Sequence, residues 1–253
     1  MEQTKVKAIV IGGIDYKEKD KLITLFTLEQ GIISVLFKSV KNSNAKLKAS
    51  KEPMSFGEYI FTNGNTKTVT SAEIIDSFYD ITKNIKKYYT ACSIFEIIKT
   101  ALPIGETSAE FFVSTLKSLE LLAYSNADIK VVLIKYLIKA FEIFGYKITF
   151  DKCSICGQKL LVHKIFNFSH GDVTCFGCKS LDGIELNDGV YSVMRIISIT
   201  DFEKLSTLKL KAELVNDVYE LLCKNYYYRF GKKLEISIWY WIIVKTFLIK
   251  SIL

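Results

Sequence analysis

Arginine is nearly absent from this chain of 253 residues. Lysine and arginine together number 34, and only Arg195 and Arg229 are arginine. Lysine meets a phosphate as a point charge, whereas arginine reads base edges through paired hydrogen bonds. Any contact with nucleic acid should therefore fall on the phosphate backbone and be indifferent to base sequence.

The sequence also lacks the motifs that many enzymes need. Its two histidines are His163 and His170, and no Ser/His/Asp set, HExxH, GxSxG or GxxxxGK[ST] pattern occurs. The paired glycines Gly12-Gly13 lack the GxGxxG spacing of a dinucleotide-binding turn, so we interpret them as a simple turn after a strand. The sequence therefore predicts a protein that is not an enzyme.

Long apolar runs are missing too. The longest uncharged apolar stretch, Ile236–Val244, ends at Lys245, and a membrane span needs roughly 20 apolar residues. The apolar run Ala8–Ile11 is too short for the core of a signal peptide. We therefore expect a cytoplasmic protein, in which thiols are reduced by default.

Positive charge is concentrated near the N-terminus. Residues 1–51 hold ten lysines and five acidic residues, which gives +5 of the net charge of +7. This part of the chain either binds an anionic partner or presents a solvated lysine face. Five lysines with no acidic residue among them favour a nucleic-acid-binding loop, because like charges repel unless an anion is bound. They are Lys38, Lys41, Lys46, Lys48 and Lys51.

The first 80 residues have the pattern of β-structure. Five short runs, at residues 5–11, 22–27, 32–37, 56–62 and 67–75, are alternating or β-branched, and Asn63-Gly64-Asn65 supplies a hairpin turn. Five such strands fit a small closed barrel of the OB type, and they would also fit an SH3-like barrel. Four nearby aromatic residues are candidates for base stacking or for the barrel core. They are Phe37, Phe56, Tyr59 and Phe61.

Helical periodicity begins at about residue 81, where apolar residues recur at three- and four-residue spacing. Thr107-Ser-Ala-Glu110 predicts a capping box, in which threonine and glutamate satisfy free amides at a helix start. Glycines at the ends of two later apolar stretches predict helix termini. The predicted helices are residues 81–98, a second one behind the capping box, 128–144 before Gly145, and 209–230 before Gly231.

Four of the six cysteines form two CxxC pairs, Cys153 with Cys156 and Cys175 with Cys178, with eighteen residues between the pairs. This spacing is typical of a four-thiolate zinc site, in which two turns complete a tetrahedron of sulfur atoms. Free buried cysteines or two disulfides are the alternatives. A closed four-thiolate site leaves no position for water or substrate, so the expected zinc is structural.

The residues between the two pairs predict a hairpin, with its turn at Gly171-Asp172. The two histidines of this segment are expected to be exposed or hydrogen-bonded, because four thiolates already fill a zinc shell. Cys92 and Cys223 lie in helical stripes and are expected to be small core residues.

These patterns together predict an α+β protein. An N-terminal OB-type β-barrel is followed by an all-α domain with an inserted four-cysteine zinc finger. The predicted domains are residues 1–80 for the nucleic-acid-binding barrel, 81–150 and 185–253 for the helical domain, and 151–184 for the zinc finger.

Two blocks of the sequence resemble the RecO family of bacterial recombination mediators. The first, Lys7–Lys41, contains Asp20-Lys-Leu22-Ile-Thr24-Leu-Phe26-Thr27, Gly31 and Lys38-Ser-Val-Lys41. The second runs from Gly145-Tyr146 through the two CxxC pairs. The similarity covers essentially the whole chain. Ser39 and Lys41 stand where the family usually has glycine and arginine, so the charge is kept while the forked hydrogen bonds of arginine are lost.

The resemblance implies a function as well as a fold. Members of the family bind single- and double-stranded DNA, anneal complementary strands and act with RecR. They contact the C-terminal tail of the single-stranded-DNA-binding protein and help RecA to load on DNA, which implies a location at the nucleoid. On this interpretation the five clustered lysines bind DNA. Two other hypotheses are a zinc-ribbon adaptor that binds only proteins and an RNA-binding barrel protein.

Overall fold

The computed structural model describes residues 2–41, 47, 49–64 and 66–234. The chain forms two compact units, Met1–Ala123 and Tyr124–Leu253. This division places the first three helices in the same unit as the barrel, whereas the domain boundaries expected from the sequence stay a prediction. The apolar segment at residues 235–253 lies outside the described residues.

The first unit contains a closed five-stranded barrel. Its strands are β1 (Gln3–Tyr16), β2 (Asp20–Thr27), β3 (Gly31–Phe37), β4 (Phe56–Thr62) and β5 (Thr68–Asp76). Their order around the barrel is β1-β2-β3-β5-β4, and the neighbours are antiparallel except β3 and β5, which meet in parallel at Leu36 and Thr68. This is the order of an OB-type barrel rather than an SH3-like one.

The barrel interior is filled by residues that alternate along the strands, as expected where one face of each strand is buried. Burial of this apolar surface is the main favourable term in folding. The buried cluster consists of Val6, Ala8, Val10, Ile23, Leu25, Ile33, Val35, Phe37, Val40, Tyr59, Phe61 and Val69.

The expectation of a turn at Gly12-Gly13 is wrong. Both glycines lie inside β1, which continues opposite β2 until Tyr16 faces Asp20. A β-bulge between Val10 and Gly12 shifts the register at this point, and glycine is common at bulges because it lacks a Cβ. The paired glycines therefore mark an irregularity within a strand and not its end.

Three helices complete the first unit: α1 (Tyr79–Thr82), α2 (Ile85–Ala101) and α3 (Ala109–Tyr124). The capping interaction at α3 lies one residue later than predicted, since the hydroxyl of Ser108 accepts a hydrogen bond from Phe111 N at 3.2 Å. Phe111 and Phe112 then pack against the Phe26 ring of β2, with ring centroids 5.9 and 5.3 Å away. These ring contacts attach α3 to the barrel.

The second unit is built on α4 (Ile129–Ile143), α5 (Asp188–Ile199) and α6 (Ala212–Phe230). Helix α4 begins and ends close to the predicted residues 128–144, and Gly231, in the left-handed region, ends α6 as predicted. The Asp128 side chain caps α4, which the sequence analysis did not predict. Helix α5 was not predicted, because five of its twelve residues are valine or isoleucine, which favour strands. Ten buried side chains on α4 make it the centre of this unit.

A small three-stranded sheet lies between α4 and α5 in the chain. Its strands are β6 (Ile165–Asn167), β7 (Asp172–Thr174) and β8 (Gly183–Glu185), in the order β7-β6-β8. Strands β6 and β7 form the predicted hairpin. The expected α+β class with a four-cysteine insert is confirmed. Across the described residues, no helix combines the length and apolar character needed to cross a membrane.

Candidate metal centre and nucleic-acid interface

The first cysteine pair lies in a tight turn. Residues 152 and 159 form an isolated β-bridge that holds the ends of the turn together. Inside it, Cys153 N donates to Gln158 O at 2.7 Å and Gly157 N donates to Cys153 O at 3.0 Å. Gly157 has a φ of +73°, a conformation that glycine adopts without strain. The turn therefore directs two sulfur atoms toward one side.

The second pair occupies a short 3-10 helix directly after β7. Cys178 N donates to Cys175 O at 3.1 Å. The fully buried side chain of Asn167 holds this turn against the sheet, because its Nδ2 donates to Thr174 Oγ1 at 2.8 Å and to Cys178 O at 3.0 Å. Its Oδ1 accepts from Ser180 N at 3.0 Å. Sequence reasoning missed Asn167, because an asparagine within an apolar hairpin has no pattern of its own.

The two turns bring all four cysteines together. Their sulfur atoms lie within 4.8 Å of one another, and the sulfur atoms of Cys156 and Cys175 are 3.7 Å apart. Sulfur atoms at the corners of a zinc tetrahedron with bonds of about 2.3 Å are roughly 3.8 Å apart. The cluster therefore has the size and the ligand chemistry of a site that could hold a metal ion.

The electrostatics of the cluster favour a cation. For Cys153, burial alone would raise the thiol pKa. Backbone hydrogen bonds from its own turn and from Cys175 in the second turn instead lower this pKa to about 6. For Cys178, burial and then the neighbouring sulfur atoms raise the pKa to about 12. Four thiolates at this distance repel one another, and a divalent cation removes that repulsion.

The histidines and the other cysteines lie outside this cluster. His163 Nδ1 is 2.7 Å from Glu185 Oε1, and His170 Nδ1 is 3.1 Å from Ser169 Oγ. Both histidines are exposed, as expected. Cys92 and Cys223 are half-buried, and burial raises the pKa of the Cys223 thiol to about 12, which makes it unreactive.

The predicted DNA-binding lysines differ in whether an acidic residue of the protein already pairs with them. Lys38 is exposed and, within the described residues, forms no ion pair. Lys41 lies 3.2 Å from Asp15, and Lys51 is paired with Glu52. Lys46 and Lys48 lie outside the described residues. DNA binding by these lysines stays a prediction, and the geometry favours Lys38 among the three that are described.

The turn after β3 is fastened to the tip of the β1–β2 hairpin. Ser39 N donates to Asp20 Oδ1 at 2.7 Å, and Lys41 N donates to Lys19 O at 3.1 Å. Ser39 has a φ of +53°, in the region that favours glycine. Ser39 stands where the family that this sequence resembles usually has glycine, and the positive φ is a physical reason for glycine there.

The aromatic residues near the loop are mainly core. Phe37, Tyr59 and Phe61 are fully buried, so they are not available as stacking platforms. Phe56 is half-buried, and its ring packs on Phe112 with centroids 6.2 Å apart. An exposed tyrosine, Tyr16, lies instead on the β1–β2 hairpin. The sequence analysis missed it, and the one pattern that could have indicated its exposure is a single aromatic residue among charged neighbours.

Comparison with known proteins covers both units. Residues 1–78 match the family model described as Recombination protein O N terminal, and residues 82–235 match the model described as Recombination protein O C terminal. The chain belongs to the RecO family. The boundary between the two family models falls close to the end of β5.

Relatives within the RecO family align with most of the chain. A protein of Clostridium novyi named DNA repair protein RecO is 28% identical over 86% of this chain and 86% of its own length. A protein of the same name from Caldicellulosiruptor saccharolyticus is 30% identical over 89% of this chain and 92% of its own length. The corresponding protein of Clostridium kluyveri is 26% identical over 92% of both.

Proposed function

We propose that this protein is a DNA repair and recombination mediator that binds single- and double-stranded DNA and anneals complementary strands. The observation that carries the proposal is an OB-type barrel with an exposed lysine turn at one end, in a chain of the RecO family. Barrels of this type bind nucleic acid on the face of strands 2 and 3 and on adjoining loops. The turn that bears Lys38 directly follows β3.

Binding to DNA is directed at the backbone. The cations near the barrel are lysines, which neutralise phosphates without reading bases. We infer that the protein contacts all sequences alike and that its affinity falls steeply as salt rises. This property suits a protein that must act wherever a gap or a break occurs.

The bound metal is zinc, held by Cys153, Cys156, Cys175 and Cys178. Four cysteine sulfur atoms lie within 4.8 Å of one another, and four thiolates are the ligand set that zinc prefers in structural sites. Such an ion stabilises the insert and leaves no ligand position for water, so we infer a structural role and no catalytic one. In this proposal the protein acts as a mediator and not as an enzyme.

The metal proposal is tested on purified protein by measuring bound metal. Cys175→Ser should lower zinc content from one ion per chain toward zero and reduce the melting temperature. Cys92→Ser is the matched control, since Cys92 lies on α2 and outside the cluster. Full zinc content in Cys175→Ser, or a different metal in the wild-type protein, would contradict the assignment.

The protein works at the nucleoid in the cytoplasm together with RecR, and it helps RecA to load on DNA coated by the single-stranded-DNA-binding protein. The second unit offers a place for the C-terminal tail of that protein. A pocket of about 460 Å³ lies between α4, residues 147–152 and α5, and Lys147, Lys152 and Arg195 line it beside apolar residues. Two acidic residues of the same lining, Glu142 and Asp151, pair with Lys147 and Arg195, so an incoming carboxylate would compete with them for these cations. A chain terminus ends in a carboxylate, which suits these cations.

The tail proposal is tested with a labelled peptide that carries the last ten residues of the single-stranded-DNA-binding protein of the same organism. Arg195→Ala should lower the affinity for the peptide at least fivefold, because a charge-assisted contact is lost. Affinity for DNA should stay unchanged. Equal peptide affinity in both proteins would place the tail elsewhere.

The function itself is tested by strand annealing. Complementary oligonucleotides, one labelled with a fluorophore and one with a quencher, are mixed with the protein, with and without a coat of the single-stranded-DNA-binding protein. Annealing should be faster with the protein in both cases. No acceleration, combined with no binding to oligonucleotides at low salt, would refute the proposal.

A protein-binding zinc adaptor is the second candidate, and one observation favours it. Large apolar side chains on and beside the zinc insert are exposed, among them Leu161, Phe176 and Leu181. Measuring oligonucleotide affinity at several salt concentrations separates the two candidates. An adaptor without DNA contacts shows no salt-dependent oligonucleotide binding. Parallel titrations with DNA and RNA of one sequence address the remaining hypothesis of an RNA-binding barrel.

A further inference from the structure

The outer part of strand β1 extends past the end of its neighbour β4, while the facing part of β2 still pairs with β3. Strand β1 pairs with β4 only from Gln3 to Ile9, whereas it continues to pair with β2 as far as Tyr16. Residues 13–16 are all exposed, in contrast to the buried stretch from Ala8 to Ile11. We name residues 12–24 the hairpin arm. Its β1 segment 12–16 pairs with no second strand among the described residues, so one side of the arm is open to a ligand.

One face of the arm carries a tyrosine, an isoleucine and two cations. Ile14 and Tyr16 share a face because they are two residues apart on a strand, and they are 64% and 43% exposed. The Lys17 ammonium lies 5.4 Å from the centroid of the Tyr16 ring. From α2, Lys99 Nζ lies 2.9 Å from the point where a Cβ at Gly12 would lie, so it covers the base of the same face.

The charge around this face is positive. The arm, the turn at residues 38–41 and Lys99 together carry six lysines and three acidic residues. Two of the acidic groups are already engaged, since Asp15 lies within 3.5 Å of Lys21 and Lys41, and Asp20 accepts the Ser39 N–H. The ammonium groups of Lys17 and Lys38 face solvent without an ion pair in the described structure.

We propose that the hairpin arm binds unpaired bases of a nucleic-acid strand, with Tyr16 as the stacking platform and Lys17, Lys38 and Lys99 as its phosphate contacts. The inference rests on the proposed function and names the site at which it discriminates single strands from duplex. An exposed ring flanked by cations is the arrangement by which proteins bind single strands without reading sequence.

The same chemistry argues against two other occupants. Bases in a duplex are stacked on each other, so their faces cannot reach Tyr16, and a duplex contacts only the lysines of the arm. A protein partner would cover Ile14 and Tyr16 with apolar side chains, and such an interface core is depleted of lysine. One lysine beside the ring and two more exposed lysines, at the base of the arm and on the adjoining turn, fit a polyanion instead.

The experiment compares Tyr16→Ala, Tyr16→Phe and the wild-type protein on three labelled ligands of equal length. The ligands are a single strand, a duplex, and a single strand in which abasic sites replace the bases. Tyr79→Ala is the matched control, because Tyr79 is also exposed in the first unit and also has a lysine, Lys83, 5.2 Å from its ring centroid. Melting curves accompany each variant.

Tyr16→Ala should weaken single-strand binding about 5- to 100-fold and leave duplex and abasic binding within twofold. Tyr16→Phe and Tyr79→Ala should bind all three ligands as the wild-type protein does. The inference is overturned if Tyr16→Ala binds single strands normally, or if its affinity falls equally for the duplex and abasic ligands. If the wild-type protein binds none of the three at low salt, the proposed function fails, and the site fails with it.

Discussion

The clearest prediction concerns the charge of a single lysine. Lys38 is exposed and has no ion-pair partner among the described residues, whereas the Lys51 ammonium is paired with Glu52 and its side chain is 11% exposed. If phosphates are bound by free ammonium groups, Lys38→Ala removes one phosphate contact. Lys51→Ala removes an ion pair within the protein and no contact with DNA.

The magnitude follows from counterion release. Each phosphate contact adds about 0.7 to the slope of log affinity against log salt for a single strand. Between about 50 and 200 mM salt, the loss of one contact therefore reduces the fall in affinity by a factor of roughly 2.6. The wild-type protein, with several contacts, should lose affinity many times over across the same range.

The assay is fluorescence anisotropy of a labelled single strand at five or more salt concentrations. Lys38→Ala should have a slope smaller by about 0.7, and Lys51→Ala should have the wild-type slope. The assay is repeated with two unrelated base sequences, on which both variants should behave alike. Equal slopes for Lys38→Ala and the wild-type protein would refute the assignment of Lys38, and a loss on one sequence only would refute backbone recognition.

Three further predictions concern stability and are measured by denaturant unfolding. Gly31→Ala should cost at least about 2 kcal/mol, because the new Cβ would overlap a carbonyl of the α2–α3 turn, whereas Gly105→Ala, also at positive φ but in open space, should cost about 1 kcal/mol. Arg229→Lys should cost about 1–2 kcal/mol through loss of a part-buried hydrogen bond to the β6–β7 turn, whereas Arg195→Lys, at an exposed ion pair, should cost under about 0.5 kcal/mol. Burial lowers the pKa of Lys135, so the folded state releases this proton more readily than the unfolded chain, and stability gains as pH rises through the folded pKa. The change in stability caused by Lys135→Met should therefore be more favourable at pH 7 than near pH 10, and an equal change at both pH values would contradict the argument.

Local signals predicted most of the barrel and the main helices. Strand β4 and the C-terminal ends of α4 and α6 follow from alternation and from terminal glycines, signals that act within a few residues. The turn at Gly12-Gly13 was wrong because pairing with β2, which is tertiary, carries the strand through a bulge. Helix α5 was missed for the same reason, since packing in the second unit overrides the strand preference of valine and isoleucine.

The four-cysteine cluster was predictable because its signal is a fixed spacing of one residue type. The proposed DNA-binding surface was not, because it depends on which side chains the fold leaves free. Alternation cannot separate the buried rings of Tyr59 and Phe61 from the exposed ring of Tyr16. Nor can it reveal that Lys51 is paired with an acidic neighbour while Lys38 is not.

The pairing of β1 with β4, which lies far along the chain, affects how the barrel forms during synthesis. Thr4 lies opposite Phe61, so β1 is synthesised well before its partner β4, whereas β2 and β3 follow it closely in sequence and can pair at once. At roughly 5–20 residues per second, this wait leaves one long strand edge unpaired for several seconds. Nascent chains of the protein should therefore need chaperone protection at this stage, and the lysines at residues 5 and 7 on that edge oppose pairing with other chains.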